Sequence, residues 1–158
     1  MLYKCPVSGA SMSCILLGDY HSLSALSIPL FLERISAGFP SPAEDYIEKT
    51  LDLNELCIEH PAATFFVRVQ GESMIEAGIF PDDVLVVDRS LLAGHGDIII
   101  ASLRSEMTVK QLHLTPPPVR LLPRNRAFAP IVLGEDDVLE VFGVVTNVVR
   151  SLRRGGKS

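Results

Sequence analysis

Thr64-Phe65-Phe66-Val67-Arg68-Val69, followed at once by Gln70-Gly71-Glu72-Ser73-Met74-Ile75, sets a serine on a glycine turn at the end of an apolar run. The first six residues are rich in β-branched and aromatic types and predict a strand. A Gly-x-Ser-Met turn behind it lifts Ser73 out of the sheet and exposes its hydroxyl, the mounting that a nucleophile needs. Serines after glycine are also common in turns for plain backbone reasons. The turn alone is therefore compatible with no chemistry at all. A second segment, Glu106-Met107-Thr108-Val109-Lys110-Gln111-Leu112, predicts another strand and sets a lysine beside leucine.

Alternation decides what that lysine can do. Side chains two apart in a strand share a face, so Lys110 projects with Thr108, Leu112 and Leu114, while Met107 and Val109 lie opposite. With apolar residues on both faces the strand is expected to be buried. The plain reading of Lys110 is an edge-strand lysine whose ammonium snorkels to water. The sharper one is a desolvated, neutral amine acting as general base to Ser73, since burial disfavours the charged form. Holding a lysine neutral near pH 7 costs about 4.6 kcal/mol against its reference pKa.

A Ser-His-Asp triad is the rival within the same chemistry, with His113 or His95 and Asp97. His113 is three residues beyond Lys110 and so points to the other face. The strand offers Ser73 the lysine or that histidine, not both. His95 lies in Ala93-Gly94-His95-Gly96-Asp97, a tight turn in which Asp97 is better suited to bonding the backbone. Nothing places a histidine near Ser73, so the Ser-Lys pair is preferred.

The remaining punctuation predicts a mostly antiparallel β domain. Further strands are expected at Val84–Asp88, Asp97–Leu103, Thr108–Leu114, Val119–Leu122 and Leu139–Val149, separated by Pro81-Asp82-Asp83, Gly94-His95-Gly96, Pro116-Pro117-Pro118 and Gly134. Ser41-Pro42-Ala43-Glu44 fits a helix start with Ser41 as cap, putting Tyr46, Ile47 and Leu51 on one face of a short helix. Asp52 to Glu59 predicts a second short helix ending before Pro61.

Composition bounds the function classes. The chain has 158 residues and a formal charge of −5, enough for one core or for one domain plus an arm. Residues 1 to 37 carry Lys4 and Arg34 against Asp19 and Glu33, so the whole excess lies after that point. An acidic body argues against strong direct DNA binding, which needs lysine and arginine for phosphate. Arg150, Arg153, Arg154 and Lys157 form a basic tail, read as a solvated, frayed terminus. Cys5, Cys14 and Cys57 have no metal-ligand spacing and are expected as reduced thiols. Cys14-Ile15-Leu16-Leu17 is too short for a signal-peptide core, and no run approaches the ~20 apolar residues of a membrane span.

Several segments carry a resemblance: Ile28-Pro29-Leu30-Phe31, Gly38-Phe39-Pro40-Ser41-Pro42-Ala43, Asp52-Leu53-Asn54, Gly71-Glu72-Ser73-Met74-Ile75, His95-Gly96-Asp97-Ile98, Thr108-Val109-Lys110 and Val141-Phe142-Gly143-Val144-Val145. Together they run in order over roughly residues 28 to 152. In these the chain resembles the UmuD-type family, self-cleaving subunits of error-prone bacterial DNA polymerases with plasmid-borne relatives, and the protease half of LexA-type repressors. Bacterial signal peptidases share the motif set but are membrane-anchored.

The resemblance implies a mainly β, LexA/signal-peptidase-like antiparallel domain with a flexible N-terminal arm and one or two short helices. It implies an arm of residues 1–37 removed by self-cleavage and a peptidase-like domain of 38–158, with a tail or short helices over 38–60 and a β core over 61–152. Ser73 is then the nucleophile, Lys110 the base, and Ala37-Gly38 the bond cut. UmuD-type relatives usually carry cysteine where Ala37 stands, whereas alanine matches the LexA pattern. Backbone N–H groups of Glu72 and Ser73 are the expected oxyanion donors. No metal or other cofactor is implied. The implied partners are a second copy, a UmuC-like Y-family polymerase, and a RecA filament on single-stranded DNA that activates cleavage in the SOS response, all in the bacterial cytoplasm. Residues 1–26 have no counterpart in these families, and the segment before Ala37 is far too short for a LexA-type DNA-binding domain. A non-catalytic polymerase-interaction module is the alternative, with a LexA-type repressor fragment less favoured.

Overall fold

A computed structural model describes residues 16–19, 28–31 and 47–153. Ten strands occur among them: β1 (Leu16–Asp19), β2 (Ile28–Phe31), β3 (Ile47–Leu51), β4 (Thr64–Arg68), β5 (Val84–Asp88), β6 (Ile98–Leu103), β7 (Glu106–His113), β8 (Arg120–Leu122), β9 (Ile131–Val132) and β10 (Leu139–Val149). Eight form one sheet in the order β1-β4-β5-β10-β6-β7-β8-β9, and β2 pairs with β3 separately. Every pairing is antiparallel. The mainly β antiparallel class expected from the sequence is the one observed.

All six expected strands of the body occur, with boundaries within about two residues. Residues 47–51 differ. They were expected on a helix and instead form β3, with Ile28 opposite Leu51 and Leu30 opposite Lys49. Pairing with β2 supplies a ladder that a short isolated helix lacks, and tertiary pairing overrides a local start signal. The proposed helix start at Ser41–Glu44 lies outside the described residues, as do Ala37 and Gly38. The second helix is present but shorter, α1 over Leu53–Cys57, with Asp52 accepting the Asn54 amide at 2.8 Å as its cap.

β6 explains how one sheet encloses a core. Its apolar run buries side chains on both faces, since Ile100 joins Phe65, Val67, Val69, Met74, Ile79, Leu85 and Val87, while Ile99, Ala101 and Leu103 join Leu112, Leu121 and Val144. Such double-sided burial requires the sheet to coil, and β10 supplies two register shifts, between Val141 and Gly143 and between Val145 and Asn147. Gly143 sits at the first. A Cβ there would lie 2.9 Å from the Asp88 carbonyl oxygen, closer than packed atoms tolerate.

Two ion pairs fasten segments the sequence leaves apart. Arg104 and Ser105 turn the β6–β7 hairpin with φ of 52° and 65°, and Arg104 forks onto Asp137 at 2.8 and 2.9 Å. That hydrogen bonding holds the Asp137 carboxyl down at about 2. Arg150 donates from Nε and Nη2 to the two carboxylate oxygens of fully buried Asp83 and lies over the Phe80 ring, 4.3 Å from its centre. Arg150 was expected in a frayed tail. It is instead fixed, because Asp83 is out of water and needs a cation. At the start of β4, His60 Nδ1 meets Asp88 at 2.7 Å and anchors the segment entering the sheet.

The Arg150 guanidinium is the main reason the Asp83 carboxyl titrates below its ordinary range. A depressed carboxylate stabilises the fold above its unfolded pKa, and the contribution is lost as pH falls through the folded value. Arg150→Ala is expected to cost about 3 kcal/mol at neutral pH by stranding a buried carboxylate. Urea unfolding should show the gap to the parent narrowing as the solution is acidified below about pH 4.

Candidate active site

The turn after β4 and the middle of β7 bring Ser73 and Lys110 together. Lys110 Nζ lies 3.0 Å from Ser73 Oγ, 2.9 Å from Thr108 Oγ1 and 3.0 Å from the Val109 carbonyl oxygen. Thr108 is on the Lys110 face, as alternation requires. Lys110 is buried, and it makes no ion pair among the described residues. Desolvation pushes its pKa down from the ordinary lysine value.

These three partners suit a neutral amine. Val109 O can only accept, so one N–H is spent there, and the Thr108 hydroxyl can take the other. In a neutral amine the nitrogen lone pair would then be left to accept from the Ser73 O–H, whereas an ammonium donates to Ser73 Oγ. In the charged form the same three contacts would be donated by an ammonium with no counter-charge, which is the costly arrangement in a dry site.

The Ser73 turn is held from both sides. Gly71 and Gly78 bracket it with φ of 87° and 78°, a region open to glycine. Met74, 2% exposed, plunges into the core beside Val69 and Ile79. From the far side the segment after β8 clamps it: the Arg124 amide donates to Ser73 O at 2.8 Å and Glu76 N to Arg124 O at 2.7 Å. Asn125 Nδ2 donates to Glu72 O at 2.8 Å. The amides of Glu72 and Ser73 donate to no acceptor among the described residues. They remain available for an oxygen at the serine.

A cleft of about 30 Å³ opens beside this pair, lined by Arg68, Val69, Gly71, Met74, Met107 and Val109 together with Ser73, Thr108 and Lys110. That is about the volume of one water molecule, space for a small side chain. A larger hollow of about 410 Å³ is lined mostly by leucine and valine, including Leu91, Leu92, Leu133 and Leu139, and contains neither Ser73 nor Lys110.

The histidine alternatives lie elsewhere. His113 faces His95, with ring centres 4.3 Å apart. His95 Nδ1 accepts the Leu114 and Thr115 amides at 3.1 and 3.2 Å. Asp97 organises its turn by accepting the Gly94 amide at 2.7 Å. Among the described residues no cluster could hold a metal ion, and no helix is long and apolar enough to cross a membrane.

Sequence reasoning did not single out Thr108 as a partner of the lysine amine, nor the Arg124–Asn125 clamp. Thr108 carried a usable signal, two residues before Lys110 on one strand. The clamp carried none, because it acts through the backbone from 51 residues away.

A coiled antiparallel sheet that presents a serine turn to a buried lysine defines a serine-peptidase-like β domain. The chain belongs to the peptidase S24-like family, whose model matches residues 29–146. It is 51% identical to protein MucA of Salmonella typhimurium over 77% of this chain and 83% of that one. Protein ImpA of Shigella flexneri is 50% identical over 79% of this chain and 85% of its own. The LexA repressor of Sorangium cellulosum is 40% identical over 75% of this chain but 53% of its own. The UmuD-type and LexA-type resemblance carried by the motifs therefore holds.

Met74→Ala is expected to lower stability by about 2 to 5 kcal/mol in urea unfolding, the usual cost of emptying such a core site. Because Met74 is bonded to Ser73, the same change should broaden the amide resonances of residues 71–78 more than those of β10.

Proposed function

We propose that the chain is a self-cleaving serine peptidase that cuts Ala37-Gly38 with Ser73 as nucleophile and Lys110 as general base. The observation that carries this reading is the 3.0 Å approach of Lys110 Nζ to Ser73 Oγ in a site with no counter-charge for the lysine. Lys110 takes the Ser73 proton as the hydroxyl attacks the Ala37 carbonyl. The amides of Glu72 and Ser73 receive the developing oxyanion, each such donor being worth about 3 kcal/mol. The tetrahedral centre collapses, the C–N bond breaks, and Lys110 returns the proton to the Gly38 amine. Water, deprotonated by the same amine, then hydrolyses the Ala37 ester. Tethering supplies the concentration, so access of the arm to the cleft governs the rate.

The small cleft supports alanine before the cut. The likeness to UmuD-type proteins supports a wider assignment. The shortened form acts in the cytoplasm as a homodimer and accessory subunit of a UmuC-like Y-family polymerase in translesion synthesis. Cleavage is promoted by RecA filaments on single-stranded DNA during the SOS response.

Intact-mass measurement of the full chain tests this reading. Fragments ending at Ala37 and starting at Gly38 are expected, with Ser73→Ala and Lys110→Ala below about a thousandth of the parent rate and His113→Ala within about tenfold of it. Only the neutral amine can act, so the rate should climb up to about tenfold per pH unit from neutral and level off below the ordinary lysine value. A flat or falling profile would remove Lys110 from the mechanism. Absence of fragments under every condition, RecA included, would leave a polymerase-interaction module.

A further inference from the structure

Beyond Lys110 along β7 lies a group of basic side chains that the chemistry above does not use. His113 on β7 is directly opposite Arg120 on β8, and its ring stacks against His95. Arg124 reaches back over β7 to Gln111 Oε1 at 3.4 Å. Arg120 has one long contact, Nη2 to Pro116 O at 3.4 Å. No carboxylate pairs with His95, His113, Arg120 or Arg124 among the described residues. His113 Nδ1 and Arg120 Nε are buried without partners. In a chain of net charge −5, Arg120 and Arg124 are local positive charges that no carboxylate among the described residues pairs with. His113 is driven below its ordinary pKa, first by desolvation and then by the charges of His95, Arg120 and Arg124.

Its position relative to the cleft gives it a direction. The small cleft lies on the 107–110 side of β7, against residues 68–74, and suits the side chain before the cut. Arg124 ties the basic group to the nucleophile turn, since its amide bonds Ser73 O at 2.8 Å, and the chain after the cut is inferred to leave toward Arg124 and Gln111. From Gly38 to Glu48 that chain carries Glu44, Asp45 and Glu48 with no lysine or arginine. Three residues of β7 span about 10 Å, and six extended residues from Gly38 to Glu44 reach up to about 20 Å.

We propose that His113, Arg120 and Arg124 form a docking site for the acidic stretch Glu44-Asp45 of the chain's own arm, positioning Gly38 over the nucleophile. This deepens the self-cleavage reading and rests on it. The three are positioning residues: they touch neither the scissile bond nor Lys110, and they act by holding the leaving strand in register. Charge complementarity at such a rim acts mainly on encounter and register.

Two measurements on the full chain separate this proposal from the reading it rests on. In uncleavable Ser73→Ala, the His113 ring is titrated by NMR with and without Glu44→Gln/Asp45→Gln. Removal of both carboxylates is expected to lower the His113 pKa further. In the cleavable chain, Glu44→Lys/Asp45→Lys and, separately, Arg124→Glu should each slow alkaline self-cleavage about three- to tenfold. Combining Glu44→Lys with Arg124→Glu should recover most of the rate. Recovery in the charge-swapped double variant is a result that misfolding cannot mimic. An unchanged His113 titration with cleavage at the parent rate overturns the docking site and leaves the peptidase intact. A shifted titration in a chain whose parent never cleaves sustains the docking site and sinks the peptidase.

Discussion

A lysine amine kept out of water without a counter-charge is the constraint around which the rest of the site is arranged. Lys110 stands on β7, which pairs with β6 along its length and with β8 from Gln111 to His113, and its side chain is buried. Any carboxylate within reach would stabilise the ammonium and return the amine to its ordinary, useless protonation. The surroundings instead offer neutral oxygens, from Thr108, Val109 and Ser73. The burial that costs stability at this point is the same burial that lowers the Lys110 pKa. Stability given up at a reactive group is a familiar pattern in active sites.

The serine has the opposite problem. It needs a hydroxyl free to approach a substrate, so it stands on a turn, and turns are mobile unless tied. Three ties act here: Met74 in the core, the Arg124 backbone on Ser73 O, and Asn125 on Glu72 O. Each uses atoms other than the Ser73 hydroxyl and the Glu72 and Ser73 amides, so the turn is fixed without consuming those groups. This is preorganisation in a concrete sense, since the donors need no rearrangement when charge develops.

What was legible in the sequence follows from the range of the interactions. Runs of β-branched and apolar residues between turn signals located β4 to β8 and β10, because both signals are local. Alternation put Lys110 beside Thr108 and turned His113 away from it. β9 escaped because two residues behind Pro130 carry no pattern. β2 and β3 escaped because Pro29 interrupts one and a helix-like start precedes the other. The contacts that span the chain were invisible for a different reason. Asp83–Arg150, Arg104–Asp137 and Arg124–Ser73 join residues 67, 33 and 51 positions apart, and no local rule pairs them. Arg150 in particular looked like one of several terminal basic residues until the burial of Asp83 gave it a partner.

The sheet order carries a last consequence. Ser73 follows β4, which pairs with β5, whereas Lys110 belongs to the run β6-β7-β8-β9. The strand through which these two halves join in the sheet is β10, bonded to β5 on one side and β6 on the other. The 3.0 Å contact between serine and lysine thus depends on the last strand of the chain, whose two register shifts and close-fitting Gly143 set how far the sheet coils. Placing β10 at the centre ties the pairing of Ser73 and Lys110 to completion of the sheet.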